Sequence, residues 1–217
     1  MTDETILSAN NITVHFGQRL VLNQLSLDIR RGEVVAVKGE NGSGKTTLIR
    51  ALSGELRNVE GFVRLLDTDI SRVPQWKRVR LGVRAVSQVS QIVPSLYASE
   101  FSALSEWLLG SQVCVTEQYE DWLRTESQRH SHGRVGELSA GQQRRVYVSA
   151  MLRGPIRALL LDEPTAGTSR SFADQLCECL SHMARRGLAV CIIEHDMSRL
   201  DRCVSRIVKL EGGRLVS

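Results

Sequence analysis

Long apolar runs are missing from this 217-residue sequence. The longest, "ALLL" before Asp162 and "AVCII" before Glu194, are a handful of residues each. None approaches the ~20 residues needed to span a bilayer, so any membrane role is expected to be borrowed from a partner. The opening "MTDETILSANN" lacks a basic region followed by an apolar one, and no signal peptide is expected. Cysteine is present but unpatterned. Five of them (Cys114, Cys177, Cys179, Cys191, Cys203) are scattered without CxxC spacing. An odd count with no metal pattern fits reduced thiols in a cytoplasmic protein. Neither sign of charge dominates: the formal +4 is spread along the chain and suits acidic ligands, anionic lipid surfaces or plain solubility. There is no nucleic-acid-binding motif and no interleaving of basic with aromatic residues, so no nucleic-acid partner is expected. Repeats and low-complexity linkers are also absent. What remains, 42% hydrophobic and 24% charged residues, is the composition of a globular protein. The length suits one domain, or one with a subdomain, around a sizeable core.

Hydrophobic periodicity lays out the chain. Residues 6 to 16 alternate in part, and Leu25, Leu27 and Ile29 share a face within 21 to 29; both stretches read as strands. After the turn "RRGE", the run "VVAV" at 34 to 37 reads as a strand buried on both faces of a parallel sheet. Leu48, Ile49 and Leu52 then recur at helical spacing from Lys45 to Ser53, with Gly54 placed as a C-terminal cap. Short strands are expected near 61 to 66 and 80 to 87, followed by a mainly helical stretch from about 96 to 150. "ALLLDE" and "LAVCIIEHD" read as buried strands, separated by a helix whose face carries Phe172, Leu176, Cys179, Leu180 and Met183. Strands alternating with helices predict an α/β core with a largely parallel sheet, and the helical middle looks inserted into it.

The strongest chemical signal is Gly39-Glu40-Asn41-Gly42-Ser43-Gly44-Lys45-Thr46, which matches GxxxxGK[ST] between a buried strand and a helix. Glycines let successive N–H groups turn inward onto phosphate oxygens, and the helix adds its positive N-terminal end. Lys45 is placed to reach the β- and γ-phosphates of a nucleotide, and the Thr46 hydroxyl to ligate Mg²⁺. Such a loop needs a second acidic group for the metal. Asp162, ending an apolar strand in "ALLLDEP", supplies it, and Glu163 beside it can deprotonate an attacking water.

"ELSAGQQRR" at 137 to 145, lying between these two motifs, resembles the LSGGQ signature of ATP-binding cassette (ABC) proteins. Further elements follow the family's order. Phe16-Gly17 sits where an adenine-stacking aromatic is expected, although Phe16 shares a strand face with Ile12 and Val14 and could serve the core instead. Gln88 in "RAVSQVSQIVPSL" matches the Q-loop glutamine, and His195 in "CIIEHDM" the switch histidine.

The resemblance implies a P-loop NTPase core with a RecA-like, mostly parallel sheet, an N-terminal antiparallel β subdomain and an inserted helical subdomain. The core would cover about 1–88 and 151–217, the helical part about 89–150. It implies ATP as substrate with Mg²⁺; Glu163, His195 and Gln88 as catalytic residues; and Thr46, Gln88 and Asp162 around the metal. Phe16, Gly39, Asn41, Gly42, Ser43, Gly44, Lys45, Thr46 and Thr47 would hold one nucleotide. Ser139, Gly141 and Gln142 would close on the γ-phosphate held by another subunit. The implied protein is the ATPase subunit of a transporter, peripheral on the inner face of the cell membrane, paired with a second cassette and with transmembrane permease subunits.

Two departures stand out. Ala140 replaces a glycine of the signature, and Thr168-Ser169 stand where the family reads Leu-Asp, which removes the D-loop carboxylate. A soluble non-transport ABC ATPase, of the Fe–S cluster assembly type, and a degenerate regulatory cassette are the alternatives.

Overall fold

The computed structural model describes residues 4–87, 93–109, 122, 133–194 and 196–216. Strands β1 (Thr5–Phe16) and β2 (Arg19–Arg30) form an antiparallel pair. With β4 (Glu60–Leu65) and the short β5 (Thr68–Asp69) they make a four-stranded sheet in the order β2-β1-β4-β5. The second sheet has six strands. Its members are β3 (Val34–Lys38), β6 (Val83–Val86), β7 (Ala158–Asp162), β8 (Ala189–Ile193), β9 (Arg206–Glu211) and β10 (Arg214–Val216). Their order is β10-β9-β3-β8-β7-β6, parallel throughout except for β10. Among the described residues the helices are α1 (Lys45–Ser53), α2 (Gln75–Leu81), α3 (Ala98–Leu109), α4 (Ala140–Met151) and α5 (Arg170–Arg185).

The apolar runs are explained by burial on both faces. Val35, Val37, Leu160, Cys191 and Ile193 point into one core, shared with α1 and the antiparallel sheet. Their neighbours Val34, Leu159, Leu161, Val190 and Ile192 point into the other, with α4 and α5. A strand sandwiched in this way has no polar alternate positions, so its sequence reads as a continuous hydrophobic run. Phe172, Leu176, Cys179, Leu180 and Met183 are all buried, as their spacing requires.

One expectation is corrected. The strand placed near 80 to 87 begins only at Val83, because residues 75 to 81 form α2 and Gly82 turns the chain. The helix escapes a hydrophobicity pattern because its inward position is an arginine. Arg78 is 1% exposed and donates to four backbone carbonyls: Val73 at 2.8 Å, Ala51 at 3.1 Å, Leu52 at 2.8 Å and Ser71 at 2.9 Å. Two of these belong to the last turn of α1, whose carbonyls have no partner within the helix. Arg78 therefore anchors the helix that follows the glycine loop.

Candidate nucleotide site

At the carboxyl ends of β3, β7 and β8 the chain leaves the sheet at neighbouring points, where open α/β sheets bind ligands. After β3 it forms the glycine loop and enters α1. Gly44 has φ 108, and a Cβ there would lie 2.9 Å from Leu22 Cδ2 and 3.0 Å from the Val21 carbonyl oxygen. Conformation and packing both demand glycine at that position. The first turn of α1 contains no acidic residue, so its positive end is left for an anion. Lys45 spans the loop: its ammonium donates to the carbonyls of Gly39 at 2.7 Å and Glu40 at 2.8 Å.

The loop opens onto a cavity of about 530 Å³. Asn41, Gly42, Gly44, Lys45, Thr46 and Thr47 line one side, with Asp162 and Glu163 on another and Phe16 at the rim. Ser43 lines an adjoining cavity, and Gly39 contributes the carbonyl that holds Lys45. Phe16 is 47% exposed whereas Ile12 and Val14 are buried, so the core alternative for Phe16 is excluded. Arg19, Val21 and Ile193 also line the cavity and escaped the sequence reading. Arg19 and Val21 lie at the start of β2 and adjoin the loop only through the fold, which leaves no local signal for them.

Asp162 is the last residue of β7 and is 1% exposed. Neither of its carboxylate oxygens has a well-formed hydrogen bond among the described residues. Burial raises its pKa; the Thr46 side chain pulls it back, the Glu163 charge raises it further, and Arg144 and Lys45 lower it. Glu163 has φ 51, a left-handed conformation rare outside glycine and a mark of backbone strain held by its surroundings. Its N–H donates to the Ile193 carbonyl at 2.8 Å, which extends the β7–β8 ladder past the strands. Glu194, just after β8, is buried, which raises its pKa; its carboxylate accepts from the Thr165 N–H at 3.3 Å. Arg144 of α4 was also missed. It is buried, donates to the Ser87 carbonyl at 2.6 Å, and places a cation near Asp162, Glu163 and Glu194. Gln88 and His195 lie outside the described residues.

Ser139 and Gln142 form a capping box on α4. The Ser139 hydroxyl accepts from the Gln142 N–H at 3.3 Å, and the Gln142 side chain accepts from the Ser139 N–H at 2.8 Å. Gly141 faces the turn after β7, where an added Cβ would lie 2.0 Å from the Gly167 carbonyl oxygen. Only glycine permits that approach. Ser139, Gly141 and Gln142 are not among the residues lining the cavity of Lys45. Ser169 caps α5, its hydroxyl accepting from the Phe172 N–H at 3.2 Å.

A family model described as ABC transporter matches residues 22–166. A hemin import ATP-binding protein of Pseudomonas fluorescens is 33% identical over 98% of this chain and 86% of its own length. A ribose import ATP-binding protein of Agrobacterium fabrum is 32% identical over 97% of this chain; the chain spans 42% of that relative's length. A branched-chain amino acid transport ATP-binding protein of Pseudomonas aeruginosa is 25% identical, covering 97% of this chain and 91% of the relative. Among solved structures, a dimeric ATP-binding cassette in a post-hydrolysis state with ADP and Pi superposes with a TM-score of 0.82 at 21% identity, over 98% of this chain and 97% of that one. A nucleotide-free cassette gives 0.80 at 22% identity, over 98% and 90%. These structural likenesses match the α/β fold with its antiparallel sheet.

Proposed function

The chain belongs to the ABC transporter family, and from that premise we propose that it binds and hydrolyses ATP to drive translocation by separate membrane subunits. The observation that carries this reading is the convergence of Lys45 with Asp162 and Glu163 on one cavity at the ends of β3 and β7. The α1 end and the loop N–H groups bind phosphates. Lys45 exchanges its carbonyl partners for β- and γ-phosphate oxygens, and Phe16 offers an exposed ring face to the adenine. A buried carboxylate without well-formed hydrogen bonds, with the Thr46 side chain beside it, fits a divalent cation. Asp162 and Thr46 would hold Mg²⁺, which when bound neutralises phosphate charge. Glu163 takes the proton of the attacking water. Gln88 and His195 carry the roles of the Q-loop glutamine and the switch histidine on motif position.

A second cassette would bring its own counterparts of Ser139, Gly141 and Gln142 to the γ-phosphate, so ATP favours the closed pair and hydrolysis releases it. No helix of the described residues is long and apolar enough to cross a membrane. Permease subunits would supply that span, with the cassette at the inner face of the membrane and the stretch of about 89–150 against them. Relatives named for ribose import and hemin import support import as the direction. The decisive experiment pairs two variants. Lys45→Ala should lose ATP binding, and Glu163→Gln should bind ATP, turn over little and run as an ATP-dependent dimer on a sizing column. Undiminished ATP affinity in the first, or normal hydrolysis in the second, contradicts the assignment.

A further inference from the structure

The turn that follows Glu163 is held from two sides. Thr165 and Thr168 close it, the Thr168 N–H donating to the Thr165 carbonyl at 3.1 Å, with Gly167 at φ 68 inside. On one side Gly141 packs directly on the Gly167 carbonyl. On the other stands Arg199, at the end of the 3-10 turn Met197–Arg199. Its Nη1 donates to the Thr165 carbonyl at 3.1 Å and to the Thr168 carbonyl at 3.2 Å, and its Nε pairs with Asp196 at 3.5 Å. The Asp196 carboxylate in turn accepts from the Ser198 N–H at 3.2 Å and from its hydroxyl at 2.6 Å. Arg170, at the start of α5, adds a bond to the Ser198 carbonyl at 3.2 Å. Together with the Glu163–Ile193 and Thr165–Glu194 bonds, these contacts tie the segment after β7 to the segment after β8 at successive points.

We infer that Arg199 is a positioning residue for ATP hydrolysis, clamping the Thr165–Thr168 turn and so fixing the backbone from which Glu163 projects. Three observations make the arginine the critical member. Within the turn the Thr165 carbonyl accepts from the Thr168 N–H and hydroxyl, both neutral donors, and bonds from a charged donor to carbonyls are roughly twice as strong as neutral ones. Glu163 sits in a strained conformation that persists only while its flanks are fixed. The side chain at 169 carries no charge and is spent on capping α5, so it adds no charged contact to the turn. Arg199 does not line the cavity and touches no reacting atom.

This inference rests on the proposed ATPase activity. Its test measures turnover per bound ATP, alongside equilibrium ATP affinity, for wild type, Arg199→Ala and Arg199→Lys. Arg199→Ala should turn over about tenfold more slowly per bound ATP, the scale of cost expected when a reacting group is misplaced by a fraction of an ångström. ATP affinity should stay within about twofold, because the glycine loop is untouched. Arg199→Lys, which keeps a cation able to reach one carbonyl, should recover part of the rate. A purely structural role would reduce the folded, ATP-binding fraction and leave turnover per bound ATP unchanged. That result overturns the inference, as does a parallel loss of affinity. If Arg199→Ala fails to fold, Arg199→Gln replaces it with the same two outcomes. Absence of any turnover sensitive to Lys45→Ala in the wild-type chain would instead remove the hydrolysis reading, and this inference with it.

Discussion

Replacing Asp162 by asparagine should stabilise the nucleotide-free protein while abolishing the proposed Mg²⁺-dependent ATP hydrolysis. The carboxylate is 1% exposed, and neither of its oxygens has a well-formed hydrogen bond among the described residues. Leaving a buried polar group unsatisfied costs about 1–3 kcal/mol, and more when it is charged. Burial raises the pKa of Asp162, so the folded chain holds its proton more tightly than the unfolded chain does. The sign follows from linkage. The stabilising contribution of the protonated form is complete below the ordinary carboxylate range and is lost as pH rises through the raised folded value. Once pH has risen through that folded value the ionised group is a net cost, and asparagine removes its charge while keeping its shape. An amide still carries polar atoms, so the gain should lie at the lower end, roughly 1 kcal/mol, or about 2–4 °C in Tm for a chain of this size. Thermal melts without nucleotide or metal should show the increment at neutral pH and a smaller one in mild acid. Unchanged or lowered Tm at neutral pH would refute the reasoning, as would an increment indifferent to pH. The same variant should show no Mg²⁺-dependent ATPase.

Phe16→Ala should weaken ATP binding by about fivefold with little change in Tm, since the ring is half exposed and its stacking energy is about 1 kcal/mol; equilibrium titration with ATP checks this, and unchanged affinity would remove the stacking role. Ser169→Ala should lose about 1 kcal/mol in denaturant unfolding through the missing α5 cap. Ser169→Asp keeps that cap and restores a D-loop carboxylate, so its steady-state ATPase should rise by about tenfold or less; a slower Ser169→Asp enzyme would mark the serine as an adaptation. Arg78→Met should cost about 3–5 kcal/mol in denaturant unfolding, because four carbonyls lose a buried charged donor.

Much of the architecture was legible because it is locally encoded. β3, β7 and β8 announce themselves as continuous apolar runs, a direct consequence of burial on both faces. β9 does not: as Arg206–Glu211 it lies near the sheet edge and buries only Leu210 fully, so no run or clean alternation appears. Helix α2 stayed hidden for the opposite reason, since its most buried position holds the charge of Arg78. In the site, Lys45, Asp162 and Glu163 could be named from spacing, because a phosphate loop and a strand-end carboxylate need particular residues in consecutive order. Arg19, Val21, Arg144 and Arg199 could not. Each acts on a segment far along the chain, and nothing next to it in sequence signals that contact.

The sequence by itself therefore determined the elements whose physics is local: buried strands, the glycine loop that must take positive φ, and the S-x-x-Q box that starts α4. The tertiary structure alone decided which of these meet. It brought the loop after β3 against the end of β7, left Asp162 buried without a well-formed hydrogen bond, and pressed Gly141 onto Gly167 while Arg199 closed from the other side. The reason is that hydrogen-bonding and conformational preferences act over a few residues, whereas contacts between distant segments are selected only when the whole core packs.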